Sequence, residues 1–415
     1  MSTMTPEAQG RTLRVKQLSR SWMVLSLLAL VLVSGVRVIT GAHEIDSRGS
    51  LAAAIMATCP ILMAAIGGLW SERAGVVNIG LEGQMILGTW GAAYFTYYYG
   101  PWVGILGAAL LGAVGGALHA LATVTFGVDH IVSGVAVNII GLGASKFLAA
   151  AYFRNLDGGG VKQLVGLDSP TRITVPGVSD FSSDLADKHW FVISDIAATV
   201  AALTTGMSLM TLLIFALVGL TGWVLWKTSF GLRLRSCGEN PQAAESLGVN
   251  VIRYKWIAVV ISGAFAGIGG GFLALVASSG FVTGQTGGRG YIGLAAMIFG
   301  NWRPSGILTG AFLFGYTDSL ALRKNDTIHA LLLLVAIGLI LLALWRLYKK
   351  QTVPAFVLVV SGALFLAWFL ATDAVPREFT SMTPYIATLL VLAFASQRLR
   401  MPAADGQTYR KGSAG

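Results

Sequence analysis

Long apolar segments recur along this 415-residue chain, separated mostly by short polar connections. A helix needs about 20 apolar residues to cross a hydrocarbon core about 30 Å thick. Candidate spans are read at 22–40, 50–70, 78–98, 102–126, 131–153, 208–226, 256–280, 290–302, 305–322, 327–347, 354–371 and 384–396. In lipid every backbone polar group must be paired within the protein, so such segments are expected as helices. The expected fold is an all-α integral membrane protein of about 10 to 12 transmembrane helices. Composition agrees, with 55% of residues hydrophobic and 12% charged, against about a quarter charged in a soluble domain. With 29 basic and 19 acidic side chains, the chain cannot coat the surface that a soluble protein of this length would turn to water.

The formal charge of +10 reads as topology rather than nucleic-acid binding, because cytoplasmic connections collect Lys and Arg and no basic run here is interleaved with aromatics. Arg11, Arg14, Lys16 and Arg20 precede the first span, and no small-residue cleavage site follows it. That span is expected to stay uncleaved, with a cytoplasmic N-terminal tail over 1–21. Threading 22–396 through the membrane from there puts connections 71–77, 127–130, 227–255, 303–304 and 348–353 inside, with the C-terminal tail 397–415. Connection 227–255 carries Lys227, Arg233, Arg235, Arg253 and Lys255 against Glu239 and Glu245. The tail carries Arg398, Arg400, Arg410 and Lys411 against Asp405. Connection 154–207, with six aspartates, is expected outside and to bear a short helix near 194–203. Cys59 lies in a span and Cys237 in the basic connection, so they read as two free thiols at different depths.

Polar residues cluster where the second and third spans meet, in the stretch Trp70 to Gln84. A carboxylate such as Glu82 in an apolar span costs about 2.5 to 3.5 kcal/mol on insertion scales and faces the bundle interior or a water-filled path. Asn78 and Glu82 are four apart and would share one face of a helix. In the fifth span Asn138 and Lys146, eight apart, fall roughly on one face, with Lys146 pairing or snorkelling. Asp318 is expected to pair with Arg323, and Trp302-Arg303-Pro304 to form a cytoplasmic interfacial turn. His119 and His130 have no second ligand at metal-like spacing. Gly269-Gly270-Gly271 is not followed by Gly-Lys-Ser/Thr, so it reads as helix packing, and no enzyme constellation is found. Asn78-Ile79-Gly80-Leu81 before Met85-Ile86 is echoed by Tyr291-Ile292-Gly293-Leu294 before Met297-Ile298, an echo expected of two pseudo-repeated halves around a midplane solute site.

Connection 227–255 contains a helix signature of its own. Asn240 is an expected N-cap, Pro241 the first helical residue and Gly248 the stop, giving about two turns with Ala243, Ala244 and Leu247 on one face. Such a helix could seat in a groove of a partner or be an ordinary surface helix.

Two stretches carry a family resemblance. The string ERAGVVNIGLEGQMILG, beginning at Glu72, resembles the signature of permease subunits of nucleoside and simple-sugar ABC importers, within the branched-chain amino acid type permease superfamily. Gly231 to Val249, followed by Lys255 and Ser262-Gly263-Ala264, is similar to that family's cytoplasmic coupling loop and the helix after it. The resemblance runs from about 50 to 322 and resumes at Pro384-Tyr385. Residues 327–371 read as an inserted helical hairpin, and the 154–207 loop as longer than usual.

The resemblance implies a type II ABC importer permease-like fold in a bacterial cytoplasmic (inner) membrane, with a nucleoside or simple sugar as cargo. It implies a second, non-identical permease, cytoplasmic ATP-binding subunits that carry the ATP and Mg, and an extracytoplasmic solute-binding lipoprotein or periplasmic protein. This chain itself would hold no cofactor or metal. Asn78, Glu82, Gln84 and Asn138 would border the solute path. Gly238, Glu239, Asn240, Pro241, Ala243, Ala244, Leu247 and Gly248 would receive the motion of the ATPase in alternating access. The rival reading is an ion-coupled secondary transporter or channel using Glu82 or Asp318. A scaffold without transport would leave the polar stretch around Glu82 without a use.

Overall fold

The computed structural model describes residues 28, 30–320, 325–373, 375, 399–410 and 412. The basic run Arg11–Arg20, Arg323, the span 384–396 with Pro384-Tyr385, Arg398 and Lys411 lie outside the described residues. The helices in chain order are α1 (Leu30–Thr40), α2 (Arg48–Arg73), α3 (Leu81–Tyr99), α4 (Pro101–Ala120), α5 (His130–Tyr152), α6 (Val178–Ala186), α7 (Ile193–Thr204) and α8 (Leu209–Lys227). They continue as α9 (Ser229–Glu239), α10 (Pro241–Ser246), α11 (Val251–Phe272), α12 (Arg289–Phe299), α13 (Pro304–Leu320), α14 (Asn325–Tyr348) and α15 (Thr352–Ala371). A π-helical turn extends α4 to Thr125 and another extends α11 to Ala277. Two short antiparallel pairs join loops: β1 (Gln163–Val165) with β4 (Gly280–Val282), and β2 (Arg172–Ile173) with β3 (Met207–Ser208).

Among the described residues seven helices are long and apolar enough to cross a membrane: α2, α4, α5, α8, α11, α14 and α15. The expected spans 290–302 and 305–322 are the shorter helices α12, of 11 residues, and α13, of 17. The third expected span begins at Leu81 rather than 78, because Asn78 belongs to a non-helical break.

Local chemistry sets the ends. Asp129 caps α5 by accepting from the Ile131 and Val132 amides at 2.9 and 3.0 Å. Gly100, at φ +84°, turns the chain so that Pro101 can open α4. The helix expected near 194–203 is α7, but α6 was not anticipated, since its serines and aspartates suit turns as well as helices.

The chain divides into two compact units. In the unit made of Met1–Ala52, Thr174–Thr205 and Leu320–Ser381, α1 packs on α14 through Val36, Ala330 and Leu333. Arg37 is buried between two carboxylates, Asp46 at 3.2 Å and Asp195 of α7, and Ser34 also donates to Asp195. Burial, then the hydrogen bond and charge of Asp195, push the Asp46 carboxyl up to about 7.

The other unit comprises Ala53–Ile173, Gly206–Ser319 and Met382–Gly415, and α11 lies at its centre. Lipid supplies no hydrophobic drive between helices, so tight association depends on small residues that let backbones touch. A Cβ on Gly267 of α11 would lie 2.2 Å from the Ala108 carbonyl oxygen of α4, and one on Gly88 of α3 would lie 2.3 Å from the Gly267 oxygen. Gly112 and Gly263 meet in the same way, at 2.2 Å. The three helices α3, α4 and α11 therefore cross with their backbones in contact.

Two outcomes follow. Gly267→Leu should remove the folded protein from detergent extracts, because the overpacking costs about 3 kcal/mol or more and the obstructing atoms are backbone; size-exclusion profiles would check this. Arg37→Ala should lower the melting temperature by an amount matching about 3 to 5 kcal/mol, since it leaves carboxylates buried without their cation.

Candidate functional site

Between Arg73 and Leu81 the chain leaves the helix while still buried. Irregular backbone at such a place is tolerated only where its polar groups find partners. The partners come from four helices. Within the break, the Val76 amide donates to the Ser71 carbonyl at 3.1 Å, and the Ser71 hydroxyl donates to the Val76 carbonyl at 2.6 Å. Lys255 of α11 donates to the Gly75 carbonyl at 3.1 Å. His119 of α4 lies 3.0 Å from the Val77 carbonyl through Nε2 and 2.9 Å from Ser133 Oγ through Nδ1. A carbonyl only accepts, so Nε2 carries the hydrogen and Nδ1 accepts from the serine. His130 accepts from the Val77 amide at 3.3 Å.

The four residues expected on a solute path are all buried here, and each is engaged with protein groups. Asn78 donates to Gln84 at 3.0 Å and to Ser262 of α11 at 2.9 Å, while its carbonyl oxygen accepts from the Gly80 amide at 3.1 Å. Asn138 of α5 accepts from the Gly83 amide at 2.7 Å and donates to the Ile79 carbonyl and the Tyr291 hydroxyl, both at 3.0 Å. Glu82 accepts from the Thr286 hydroxyl at 2.6 Å and from the Gly288 and Gly290 amides at 3.0 and 2.7 Å. It thus caps α12, whose own N-cap is a glycine without a side chain, and places a negative charge at that helix's positive end.

Asn78 and Glu82 do not share a helix face, since Asn78 precedes α3 and the two turn to different partners. Asp318 pairs with Arg289 at 2.7 Å; the position of Arg323 falls outside the described residues. In α5 Lys146 is exposed while Asn138 is buried. Ser262, Thr286, Lys255 and Tyr291 were missed as partners because each lies far along the chain and looks unremarkable in its own segment.

The second motif backs onto the foot of α2. Asn240 accepts from the Ala243 amide at 2.9 Å, Pro241 opens α10, and Gly248 has φ +79°. Of the three residues expected on one face, Ala244 is buried while Ala243 and Leu247 are exposed, Leu247 by 84%. The short helix rolls so that only one alanine tucks under. Gly238 sits where a Cβ would lie 2.3 Å from the Arg73 carbonyl oxygen, and Glu239 lies 3.8 Å from the Arg73 guanidinium. Arg73 also donates to the Trp302 carbonyl at 2.6 Å, and the Trp302 indole donates to Glu72 at 2.6 Å. The expected turn at Trp302 is present between α12 and α13, and the Trp302 side chain is buried within the protein. Cys237 is buried within α9, where burial pushes its thiol up to about 11. Asp405, read from sequence only as a tail charge, lies against Glu72, and burial pushes it up to about 6.

Asn138→Ala would strand the Gly83 amide and the Ile79 carbonyl in a buried setting. A loss of about 1 to 3 kcal/mol for each stranded group is expected, read as a lower melting temperature in detergent; an unchanged value would mean that other groups replace the amide.

Comparison with known proteins adds the following. Residues 50–367 match the protein family described as branched-chain amino acid transport system / permease component; the match continues through α14 and most of α15. The guanosine ABC transporter permease protein NupQ of Bacillus subtilis is 34% identical over 368 residues, 87% of this chain and 96% of that protein. The nucleoside ABC transporter permease protein NupC of Lactococcus lactis is 33% identical over 359 residues, 85% of this chain and 93% of that protein. The putative glucose ABC transporter permease protein TsgC13 of Haloferax volcanii is 29% identical over 371 residues, 88% and 98% of the two chains. No solved structure matches the chain.

Proposed function

The chain belongs to the branched-chain amino acid transport system permease-component family, so its work is transport rather than catalysis, and on that premise we propose that its cargo is a nucleoside. The observation that carries this reading is the identity, spread over most of both chains, to a guanosine and a nucleoside permease. A simple sugar remains the second reading, favoured by the similarity to the putative glucose permease. Both are neutral solutes and suit a unit with few buried charges. The ion-coupled alternative needs a carboxylate free to exchange its partner, whereas Glu82 already accepts three hydrogen bonds and Asp318 is ion-paired.

In this reading ATP is bound and hydrolysed, with Mg, by separate cytoplasmic subunits. A second permease completes the pathway, and an extracytoplasmic binding protein delivers the solute. The full chain crosses a bacterial cytoplasmic membrane ten to twelve times in two pseudo-repeated halves, with both termini inside. Gly238 to Gly248 receives the motion of the ATPase, and the break with Asn78, Glu82, Gln84 and Asn138 answers it. Support comes from the exposure of Leu247 beside a groove of about 400 Å³ lined by Phe230, Arg233, Val249, Arg253 and Tyr254. Such an apolar knob next to basic side chains suits a protein partner at the membrane surface.

Cells expressing the complete importer should take up labelled guanosine, with competition by other nucleosides and not by glucose; the reverse order would assign the sugar. Leu247→Asp and Ala243→Arg should reduce ATP-dependent uptake by about a hundredfold, as expected when a central contact worth about 2 to 3 kcal/mol is lost, with membrane insertion unchanged. Normal uptake in both variants would remove the proposed ATPase contact. Topology is better read at Leu247→Cys than at the buried Cys237: labelling from the cytoplasmic side is expected, and labelling only from outside would overturn the assignment.

A further inference from the structure

The stretch Leu399–Arg410 folds back across the second motif. Its Arg400 amide donates to the Asn301 side chain at 2.7 Å, its Ala403 amide to the Glu239 carboxylate at 3.3 Å and its Ala404 amide to the Gly238 carbonyl at 2.9 Å. The Tyr409 hydroxyl donates to the Glu245 carboxylate on α10, and its ring packs with Cys237, Ala244 and Val251. On the other side the stretch reaches the helix break. A Cβ on Gly75 would lie 3.1 Å from the Ala404 carbonyl oxygen, and one on Gly406 would lie 3.5 Å from Val77. Asp405 lies beside the Glu72 carboxyl at the foot of α2, a pair that can be joined only through a proton held by one of the two, and burial, which pushes Asp405 up to about 6, favours that proton.

These contacts matter because they join α10, a short element, to a part of the chain other than its neighbours in sequence. It has six residues, one of them buried, and its tether to α9 runs through the single residue Asn240. The helix is joined to α11 by residues 247–250, whose Val249 amide donates to the Ala244 carbonyl at 3.0 Å, so a push on it is felt by both neighbouring helices. Tyr409 adds an attachment on α10 that the neighbouring helices do not provide, and it passes such a displacement on to the tail.

We infer that Leu399–Arg410 is a strap that carries displacement of α10 to the break between α2 and α3, with Tyr409 gripping α10 and Asp405 gripping the foot of α2. Tyr409 and Asp405 are positioning residues, since neither needs to touch solute or nucleotide. The inference rests on the reading of α10 as the part that receives the motion of an ATPase.

The test uses the complete importer reconstituted in liposomes, with solute delivered per ATP hydrolysed as the readout. Tyr409→Phe and Asp405→Ala should assemble at the wild-type yield and keep ATP hydrolysis within about twofold, while solute moved per ATP falls by about tenfold, the scale of losing one hydrogen bond to a charged group. Glu245→Gln keeps an acceptor oxygen for Tyr409 and should retain most of the coupling. Wild-type transport per ATP in Tyr409→Phe and Asp405→Ala would overturn the strap, as would loss of assembly in all three variants, which would make the tail a folding element only. A wild-type complex that hydrolyses ATP without moving any solute would instead sink the functional reading itself, so the two failures are told apart.

Discussion

An interrupted helix inside an apolar medium must have every exposed amide and carbonyl answered by another part of the chain. That requirement organises the larger unit of this protein. The break between α2 and α3 is answered by a serine of its own helix, a lysine of α11, histidines of α4 and α5 and an asparagine of α5. Each is a polar residue that would be costly in a membrane helix were it not so used. The polar residues and the irregular backbone therefore compensate one another, and neither is tolerable alone.

The close glycine crossings make this compensation possible. The hydrogen bond from Asn78 to Ser262 requires α11 to stand against the start of α3. The contacts among Gly88, Gly112, Gly263 and Gly267 bring the helices that near. Larger side chains would separate the axes, and the polar side chains would then fall short of the backbone they serve. Packing and polar satisfaction are in this sense one device, since van der Waals contact between small residues is what sets the hydrogen-bond distances.

The same principle extends to the foot of α2. Arg73, Glu72, Trp302 and Gly238 form a compact joint that ties the end of a long helix to α9. Rigid elements joined at such points transmit displacement with little loss, because close-packed interiors do not deform continuously. A short capped helix attached to this joint has a mechanical route to the helix break.

Much of this was legible in the residues. Hydrophobic segment length marked the long helices, and the order Asn240, Pro241, Gly248 marked α10 with its cap and stop. Those signals are local: capping, φ preference and apolar length act within one turn or one segment of chain. The two motifs, around Glu82 and around Asn240, also stood out by composition.

What each polar residue does was not legible. Asn78 and Glu82 looked like neighbours on one helix face, but one completes a break and the other caps α12. Asp318 found Arg289, and Leu247 turned outward while Ala244 turned in. The sequence by itself determined that the chain enters a membrane as helices and that polar groups gather at two motifs, because the energy of moving a segment from water to lipid is a sum over that segment's own residues. Only the tertiary structure decided which donor meets which acceptor, because a buried hydrogen bond depends on the approach of residues far apart in the chain, 208 positions in the case of Glu82 with Gly290 and 230 in that of Glu72 with Trp302.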